Sequence, residues 1–170
     1  MDRGKEVKVS IPDLPGVRFR PDDCEVLYFL KDKLLGRLEL PPGLIQENID
    51  PYIYDPMELP KGDGFKRDKK AFFFTNKKEN QTTKDGFWGH TTTEHIFDHD
   101  HILGLKKELV FSWAIQNQII KTNWVSHEYS ISPAIFSDEE RRSIGEKIES
   151  YVVCGIHYKF VDPYDMSDEE

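Results

Sequence analysis

The residues best suited to chemistry form a histidine-rich stretch in the middle of the chain. His90, His95, His99 and His101 are four of the six histidines, lie within twelve residues and alternate with acidic side chains. Alternation along a strand would place His99 and His101 on one face, where two imidazoles can share a divalent metal. The same composition is typical of a solvated hairpin tip. We favour the hairpin tip and expect neither a metal nor a cofactor.

Sequence motifs that would indicate catalysis are missing. His127-Glu128 lacks the second histidine of an H-E-x-x-H zinc site, and no G-x-S-x-G, P-loop or G-x-G-x-x-G occurs. We therefore predict that the protein is not an enzyme. Cys24 and Cys154 are the only cysteines and stand far apart, without a C-x-x-C pattern. They predict two structural thiols in a reducing compartment.

Charge is the second feature that bears on function. The net charge is -8 and the sequence pI is about 5.3, which argues against a general nucleic-acid binder. The charge is unevenly distributed, because residues 61–84 carry a local +5 and residues 138–170 a local -6. A basic middle and an acidic end are compatible with one DNA-facing surface and a repelled tail. A solvated loop followed by a soluble tail explains the charges equally well.

The length of 170 residues is sufficient for one domain with a single core. No apolar run is long enough to cross a membrane, and the polar N-terminus predicts no signal peptide. We therefore expect no membrane partner.

Several stretches have the composition of β-strands. Residues 86–93, 103–111 and 121–129 are rich in aromatic and β-branched residues, with polar or Gly breaks between them. The second of these alternates with a period of two, which predicts a half-buried strand. Residues 71–75 and 151–159 predict two further strands. The last strand is expected to turn four side chains to the core: Val152, Cys154, Ile156 and Tyr158.

A helix is predicted after an N-terminal Pro-Gly turn. Asp22 is a suitable N-cap, and Glu25 three residues later completes a variant of the capping box. Gly36 is a plausible C′ residue. One face of this helix carries apolar residues: Val26, Leu27, Leu30 and Leu34.

Two further stretches complete the expected secondary structure. Ser137, followed by Asp138, Glu139 and Glu140, predicts a capping box and a helix that extends to about residue 150. Gly145 weakens that helix. Residues 49–60 predict a short strand that ends at a proline and is followed by a turn.

The order and chemistry of these stretches resemble the NAC domain, the DNA-binding domain of a large family of plant transcription factors. The family motifs V-G-x-K-K-x-L-V-F and K-T-x-W-x-M-H-E-Y are similar to residues 103–111 and 121–129. Its opening, L-P-P-G-F-R-F, is similar to the stretch from Leu14 onward, and W-V-L-C-R-I-Y-K-K is similar to residues 151–159. The resemblance implies an α+β fold, a twisted antiparallel β-sheet flanked by a few helices.

The same resemblance implies the domain organisation. We expect an N-terminal extension over residues 1–13, a NAC-like DNA-binding domain over residues 14–160 and an acidic tail over residues 161–170. We also expect the usual C-terminal regulatory region of the family to be absent from this chain.

The implied DNA-binding surface has lost part of its charge. The family motif W-K-A-T-G-x-D-K, on the strand that enters the major groove, becomes W-G-H-T-T-T-E-H at residues 88–95. A further K-G-x-A-P-x-G loop is replaced by residues 113–120. Because each phosphate contact contributes to salt-dependent affinity, we expect weakened and strongly salt-dependent binding. We expect the contacts to come from Lys77, Lys78, Lys84, Trp88, Thr91, Lys106, Lys107 and Lys121.

The family also implies a dimer, joined by an Arg–Glu bridge. Arg18 and Glu25 occupy those positions, and Val17 and Phe19 would add apolar contact. A role of Glu25 in capping its own helix is an equally good interpretation, and the two are compatible.

These features predict a nuclear, dimeric, NAC-type regulator of transcription. We expect its partners to be double-stranded DNA and another NAC chain, as a homodimer or heterodimer, and residues 66–70 resemble a nuclear-localisation cluster. The alternative is a non-activating dimerisation partner that sequesters full-length relatives.

Overall fold

A computed structural model describes residues 18–62 and 64–160, in which six strands form one sheet with helices on its faces. The strands are Ile45–Gln46 (β1), Ala71–Asn76 (β2), Gly86–Asp98 (β3), His101–Ile115 (β4), Gln118–Ile131 (β5) and Tyr151–Tyr158 (β6). The helices are Asp23–Leu34 (α1), Phe65–Asp68 (α2), Asp138–Ile144 (α3) and Lys147–Ser150 (α4). Val17, the N-terminal extension and the acidic tail lie outside the described residues.

The order of strands across the sheet is β1-β2-β6-β5-β4-β3, so β3 is an edge strand. All neighbouring pairs are antiparallel except β1 and β2, which are parallel. The predicted α+β fold, a twisted sheet with a few helices, is therefore confirmed, with one short parallel strand added. No helix in the described part of the chain is long and apolar enough to span a membrane.

Apolar side chains cover both faces of the sheet. Helix α1 packs on one face, where Leu27 and Leu30 join Phe72 and Val153 in one core. The segment before α2 packs on the opposite face, which forms a second core: Tyr52, Leu59, Phe73, Trp88, Phe111, Cys154 and Ile156. Successive residues of a strand point to opposite faces. The run of phenylalanines in β2 is therefore buried on both sides of the sheet.

Helix α1 has the predicted ends. The Asp22 carboxylate accepts the Glu25 N–H, and the Glu25 carboxylate accepts the Asp22 N–H, both at 2.8 Å. At the other end Gly36 adopts a φ of 76°, and the Gly36 and Arg37 N–H groups donate to Lys33 and Asp32 carbonyls. This is the Schellman arrangement that glycine permits at C′.

The strand predicted within residues 49–60 is wrong. Residues Pro51–Ile53 form a 3-10 helix, in which Asp50 caps the Tyr52 N–H at 3.0 Å and Pro51 occupies the first turn. Proline fixes φ near the helical value and needs no hydrogen-bond acceptor at that position. The Tyr52 ring is thereby directed into the second core.

Two expectations near the C-terminal end need correction. The capping box of Ser137 and Glu140 is confirmed, but the helix divides into α3 and α4 because Gly145 adopts a φ of 74°. In β6 the predicted core residues Val152, Cys154 and Ile156 are fully buried, whereas Tyr158 is exposed. Tyr158 lies at the end of the strand, where it packs edge-on against Trp124.

The stretch that replaces the family's K-G-x-A-P-x-G loop is the end of a long hairpin. Only Gln116 and Asn117 leave the strands β4 and β5, and their φ angles are 51° and 66°. Two consecutive left-handed residues are the signature of a type I′ turn, whose twist matches that of the hairpin. The hairpin end exposes apolar residues, and Ile119 is 69% exposed.

Candidate nucleic-acid interface

A fully exposed polar segment lies on the edge strand of the sheet. Residues 90–95 of β3 are all exposed, in contrast to the buried positions at both ends of the strand. The register between β3 and β4 shifts between His90 and Thr92, so that Thr91 is the extra residue of a β-bulge. A bulge bends an edge strand and turns its side chains. The segment therefore presents three threonine hydroxyls on a curved and unpaired edge.

Local hydrogen bonds hold this segment. The Thr91 hydroxyl donates to the backbone carbonyl of Glu108 at 3.1 Å and lies 3.1 Å from its carboxylate. His90 Nε2 lies 3.0 Å from the Thr92 carbonyl and 2.7 Å from the Thr93 hydroxyl. The predicted contact residue Thr91 is thus exposed, although its hydroxyl already has partners on β4.

Trp88 needs correction as a residue facing DNA. Its side chain is only 4% exposed and packs edge-on against Tyr52 and Phe111 in the second core. A ring in this position has no surface to offer to a duplex. Trp88 instead anchors the strand whose exposed half begins two residues later.

Lys106 is held by acidic side chains of its own chain. Its Nζ lies 3.1 Å from Asp23 Oδ1 and 3.9 Å from Glu94 Oε2, and it stands 5.8 Å over the Tyr129 ring. Burial raises the pKa of Asp23, but hydrogen bonds from Tyr129 and Lys106 outweigh it, so the pKa remains below its ordinary value. Lys106 therefore contributes less to a DNA-facing potential than an unpaired lysine would.

The remaining predicted lysines do not form one patch. Lys84 precedes β3, and Lys121 pairs across β5 and β4 with Ser112. Because Gly86 pairs with Trp113, beside Ser112, the structure brings these two exposed lysines to the same end of the sheet.

Three other predicted lysines lie elsewhere. Lys77 follows β2 and donates its backbone N–H to the Ser150 carbonyl, near the opposite end of the sheet. Lys78 forms an ion pair with Asp50. Lys107 is half-buried in the middle of β4.

The predicted dimer residues are in different environments. Arg18 is exposed, whereas Phe19 is buried in the first core, stacked on Phe29 and edge-on to Phe72. Glu25 closes the capping box of α1. Phe19 therefore has little surface left for a partner chain, and a role for Arg18 and Glu25 in a dimer stays a prediction.

The histidine-rich stretch is the hairpin tip favoured from the sequence, because β3 ends at Asp98 and β4 begins at His101. His99 adopts a left-handed φ of 58° in the turn between β3 and β4, and its Nδ1 lies 2.9 Å from the Asp98 carboxylate. His101 begins β4 on the other side of that turn. The two rings therefore do not share one face of a strand, and the described residues contain no cluster of three or more metal-ligating side chains.

The sequence interpretation missed the acidic partners of the basic residues. Asp23 stands 83 residues before Lys106 and lies in the first turn of α1. No spacing pattern in the sequence pairs two residues at such a distance. Only the packing of α1 across the sheet brings them together.

Comparisons with known proteins identify the family to which this chain is similar. Residues 13–131 match the family described as No apical meristem (NAM) protein. The chain is 32% identical over 166 residues to NAC domain-containing protein 2 of Solanum lycopersicum, covering 92% of the chain and 58% of that protein. It is 33% identical over 162 residues to NAC transcription factor 25 of Arabidopsis thaliana, covering 85% of the chain and 50% of that protein. The chain thus spans about half the length of these relatives.

Proposed function

This chain belongs to the NAC domain family, and from that premise we propose that it is a nuclear regulator of transcription that binds double-stranded DNA as a dimer. One observation supports the DNA-binding part above all others. The exposed half of the edge strand β3, residues 90–95, is polar, rich in hydroxyl groups and bent by a β-bulge. Strands of this kind can enter the major groove, where threonine contacts bases and phosphates.

The affinity of this surface for DNA is expected to be low. The exposed segment contains Glu94 and no lysine, and a carboxylate beside a phosphate backbone is repelled. Lys106 is paired with Asp23, so Lys84 and Lys121 are the predicted contacts that offer the most available charge. Binding would then rest on few phosphate contacts and fall steeply as salt is raised.

Restoring one lysine tests the proposal. The β-carbon added by a Gly89→Lys substitution would have its nearest contacts at 3.5 Å from Phe87 and 3.9 Å from the Val110 carbonyl, which is ordinary packing. Fluorescence anisotropy with a labelled mixed-sequence duplex would be measured over a series of salt concentrations. We expect Gly89→Lys to tighten binding at low salt and to steepen the salt slope by about 0.9, the value for one added phosphate contact.

A charge-matched control separates position from net charge. Ser143→Lys adds the same charge at an exposed position of α3, outside β3, and should leave affinity and slope close to the parent. Equal gains in both variants would indicate non-specific attraction. No binding by the parent or by Gly89→Lys at low salt would refute the proposed DNA binding.

The alternative proposal is a dimerisation partner that sequesters full-length relatives. It is favoured by the end of the β4–β5 hairpin, where exposed Ile115, Ile119 and Ile120 replace the cationic loop that the family resemblance implies. The discriminating experiment adds this chain to a full-length NAC protein bound to its DNA. Loss of the DNA complex, together with a heterodimer in sedimentation, would support sequestration.

A further inference from the structure

A cavity of about 300 Å³ lies on the α1 face of the sheet, away from the exposed half of β3. It is bounded by the segment that enters α1, by the start of β2 and by the end of β6. Its lining includes three cationic side chains, one imidazole, one carboxylate and aromatic surface: Arg20, Lys69, Lys70, His157, Asp68 and Phe72. The cavity is half-open, and it groups three cationic side chains with one carboxylate in a chain of net charge -8.

A glycine in β6 makes room for the central cation of the cavity. A β-carbon at Gly155 would lie 2.7 Å from Lys70 Cε and 2.9 Å from the Phe72 ring. The aliphatic part of the Lys70 side chain therefore passes directly over Gly155, where the side chain of any other residue would collide with it. The Lys70 ammonium reaches to 3.3 Å from His127 Nδ1 and stands 5.5 Å over the Phe72 ring.

Lys70 has no carboxylate partner within ion-pair distance among residues 18–62 and 64–160. Its one hydrogen-bond partner there is the His127 ring. Burial, and then the charge of Lys106, lowers the pKa of Lys70 to about 8, whereas the charge of Asp23 acts in the opposite direction. A half-buried ammonium whose one hydrogen-bond partner among the described residues is a neutral ring is a cation that an incoming anion would stabilise.

His157 provides a hydrogen-bonding group beside that cation. Its Nδ1 atom is buried and has no hydrogen-bond partner in the described part of the chain. Burial, and then the charge of Lys70, lowers the pKa of His157 to about 4, so the ring is neutral at physiological pH. The ring lines the cavity, and a neutral imidazole carries one N–H that can donate a hydrogen bond to an anion.

Asp68 sets the balance of charge. Its Oδ1 accepts the Phe19 backbone N–H at 2.9 Å, which ties the entering segment to α2. The lining contains this one carboxylate and three cationic side chains, those of Arg20, Lys69 and Lys70. The cavity therefore keeps an excess of positive charge in a site that is partly screened from water, where electrostatic attraction is stronger than on an open surface.

We propose that this cavity binds a phosphate group, either free or carried by a small molecule, with the half-buried Lys70 and His157 as the inner contacts and Arg20 and Lys69 at the rim. Phosphate has the acceptor oxygens to engage all four side chains, and guanidinium groups bind it in a bidentate manner. The volume accommodates a phosphate with a small substituent.

Calorimetric titration of the purified protein with sodium phosphate, at constant ionic strength, tests this site. We expect saturable binding that an equal ionic strength of sodium chloride does not reproduce. Lys70→Met should weaken it about tenfold or more, because it removes a charge-assisted hydrogen bond. Lys66→Met removes the same charge from an exposed position of α2 outside the cavity, and should bind phosphate as the parent does.

NMR of the histidine side chains is a second measurement that uses the parent protein alone. The imidazole nitrogen resonances of the parent protein should shift for His157 on phosphate addition, and those of the exposed His101 should not. Phosphate that binds no more than chloride, or that binds Lys70→Met as tightly as the parent, would overturn the site. Competition between phosphate and duplex DNA that is lost in Lys70→Met would instead assign the phosphate to the DNA backbone and overturn the small-molecule source.

Discussion

We expect a pair of histidines on the α1 face of the sheet, His127 and His157, to make the stability of the fold fall in mild acid. The His127 and His157 rings lie 5.2 Å apart, and His127 Nδ1 lies 3.3 Å from the Lys70 ammonium. Burial is the main cause that lowers both pKa values to about 4 from an ordinary 6.5, and the charge of Lys70 adds to it. Both rings are therefore neutral in the folded protein at neutral pH.

The sign and size of the effect follow from these values. Below pH 6.5 the unfolded chain binds protons that the folded protein does not, so the free energy of unfolding falls as the pH falls from 6.5 towards 4. Between pH 7 and pH 5 each ring accounts for at most about 2 kcal/mol. Since both rings keep some contact with solvent, we expect about 2 kcal/mol for the pair together.

Urea unfolding followed by tryptophan fluorescence, in buffers without phosphate, measures this loss. The parent should lose about 2 kcal/mol between pH 7 and pH 5. The double variant His127→Gln/His157→Gln should lose much less, because glutamine does not titrate. The exposed pair His99→Gln/His101→Gln serves as the control and should behave like the parent.

An equal loss of stability in the parent and in His127→Gln/His157→Gln would show that other groups cause the acid sensitivity. A changed slope of free energy against urea concentration in the double variant would show that the unfolded state, not the histidine pair, had been altered.

Three further predictions concern packing and assembly. Gly86→Ala should destabilise the fold by about 3 kcal/mol or more in urea unfolding, because its β-carbon would lie 2.2 Å from the Ser112 carbonyl, whereas Gly89→Ala should cost far less. Tyr52→Phe should lower the free energy of unfolding by about 1–2 kcal/mol in the same assay, because the buried Tyr52 hydroxyl forms a hydrogen bond of 2.9 Å with Ser126 and accepts one from the Cys154 thiol. An unchanged midpoint of urea unfolding would contradict this. Arg18→Glu should weaken a dimer in sedimentation, and adding a Glu25→Arg substitution should partly restore it; a parent that is monomeric at tens of micromolar would contradict both.

The local chemistry of the sequence was sufficient for the helix ends and for most strands. The capping boxes at Asp22 and Ser137, and the terminator at Gly36, depend on residues within a few positions of one another. The alternation in β4 and β6 likewise reports which face of a strand is apolar. The strand prediction at Pro51 is wrong because a proline among aromatic residues fits both a strand and a 3-10 helix. The hydrogen bond that fixes the Tyr52 side chain in the core joins it to Ser126, 74 residues away, and local sequence does not show it.

Only the tertiary structure decides whether each candidate residue is exposed and unpaired, and therefore free to contact DNA. The sequence identifies lysines and a tryptophan in a family motif, but their spacing does not show that Trp88 is buried or that Lys106 is paired with Asp23. Those facts depend on how α1 and the segment after β1 pack on opposite faces of the sheet. The place of Lys70 over Gly155 also depends on tertiary packing, because the two residues are 85 positions apart in the sequence. Charge and residue type are local properties of a sequence, whereas burial, pairing and pKa arise from long-range packing.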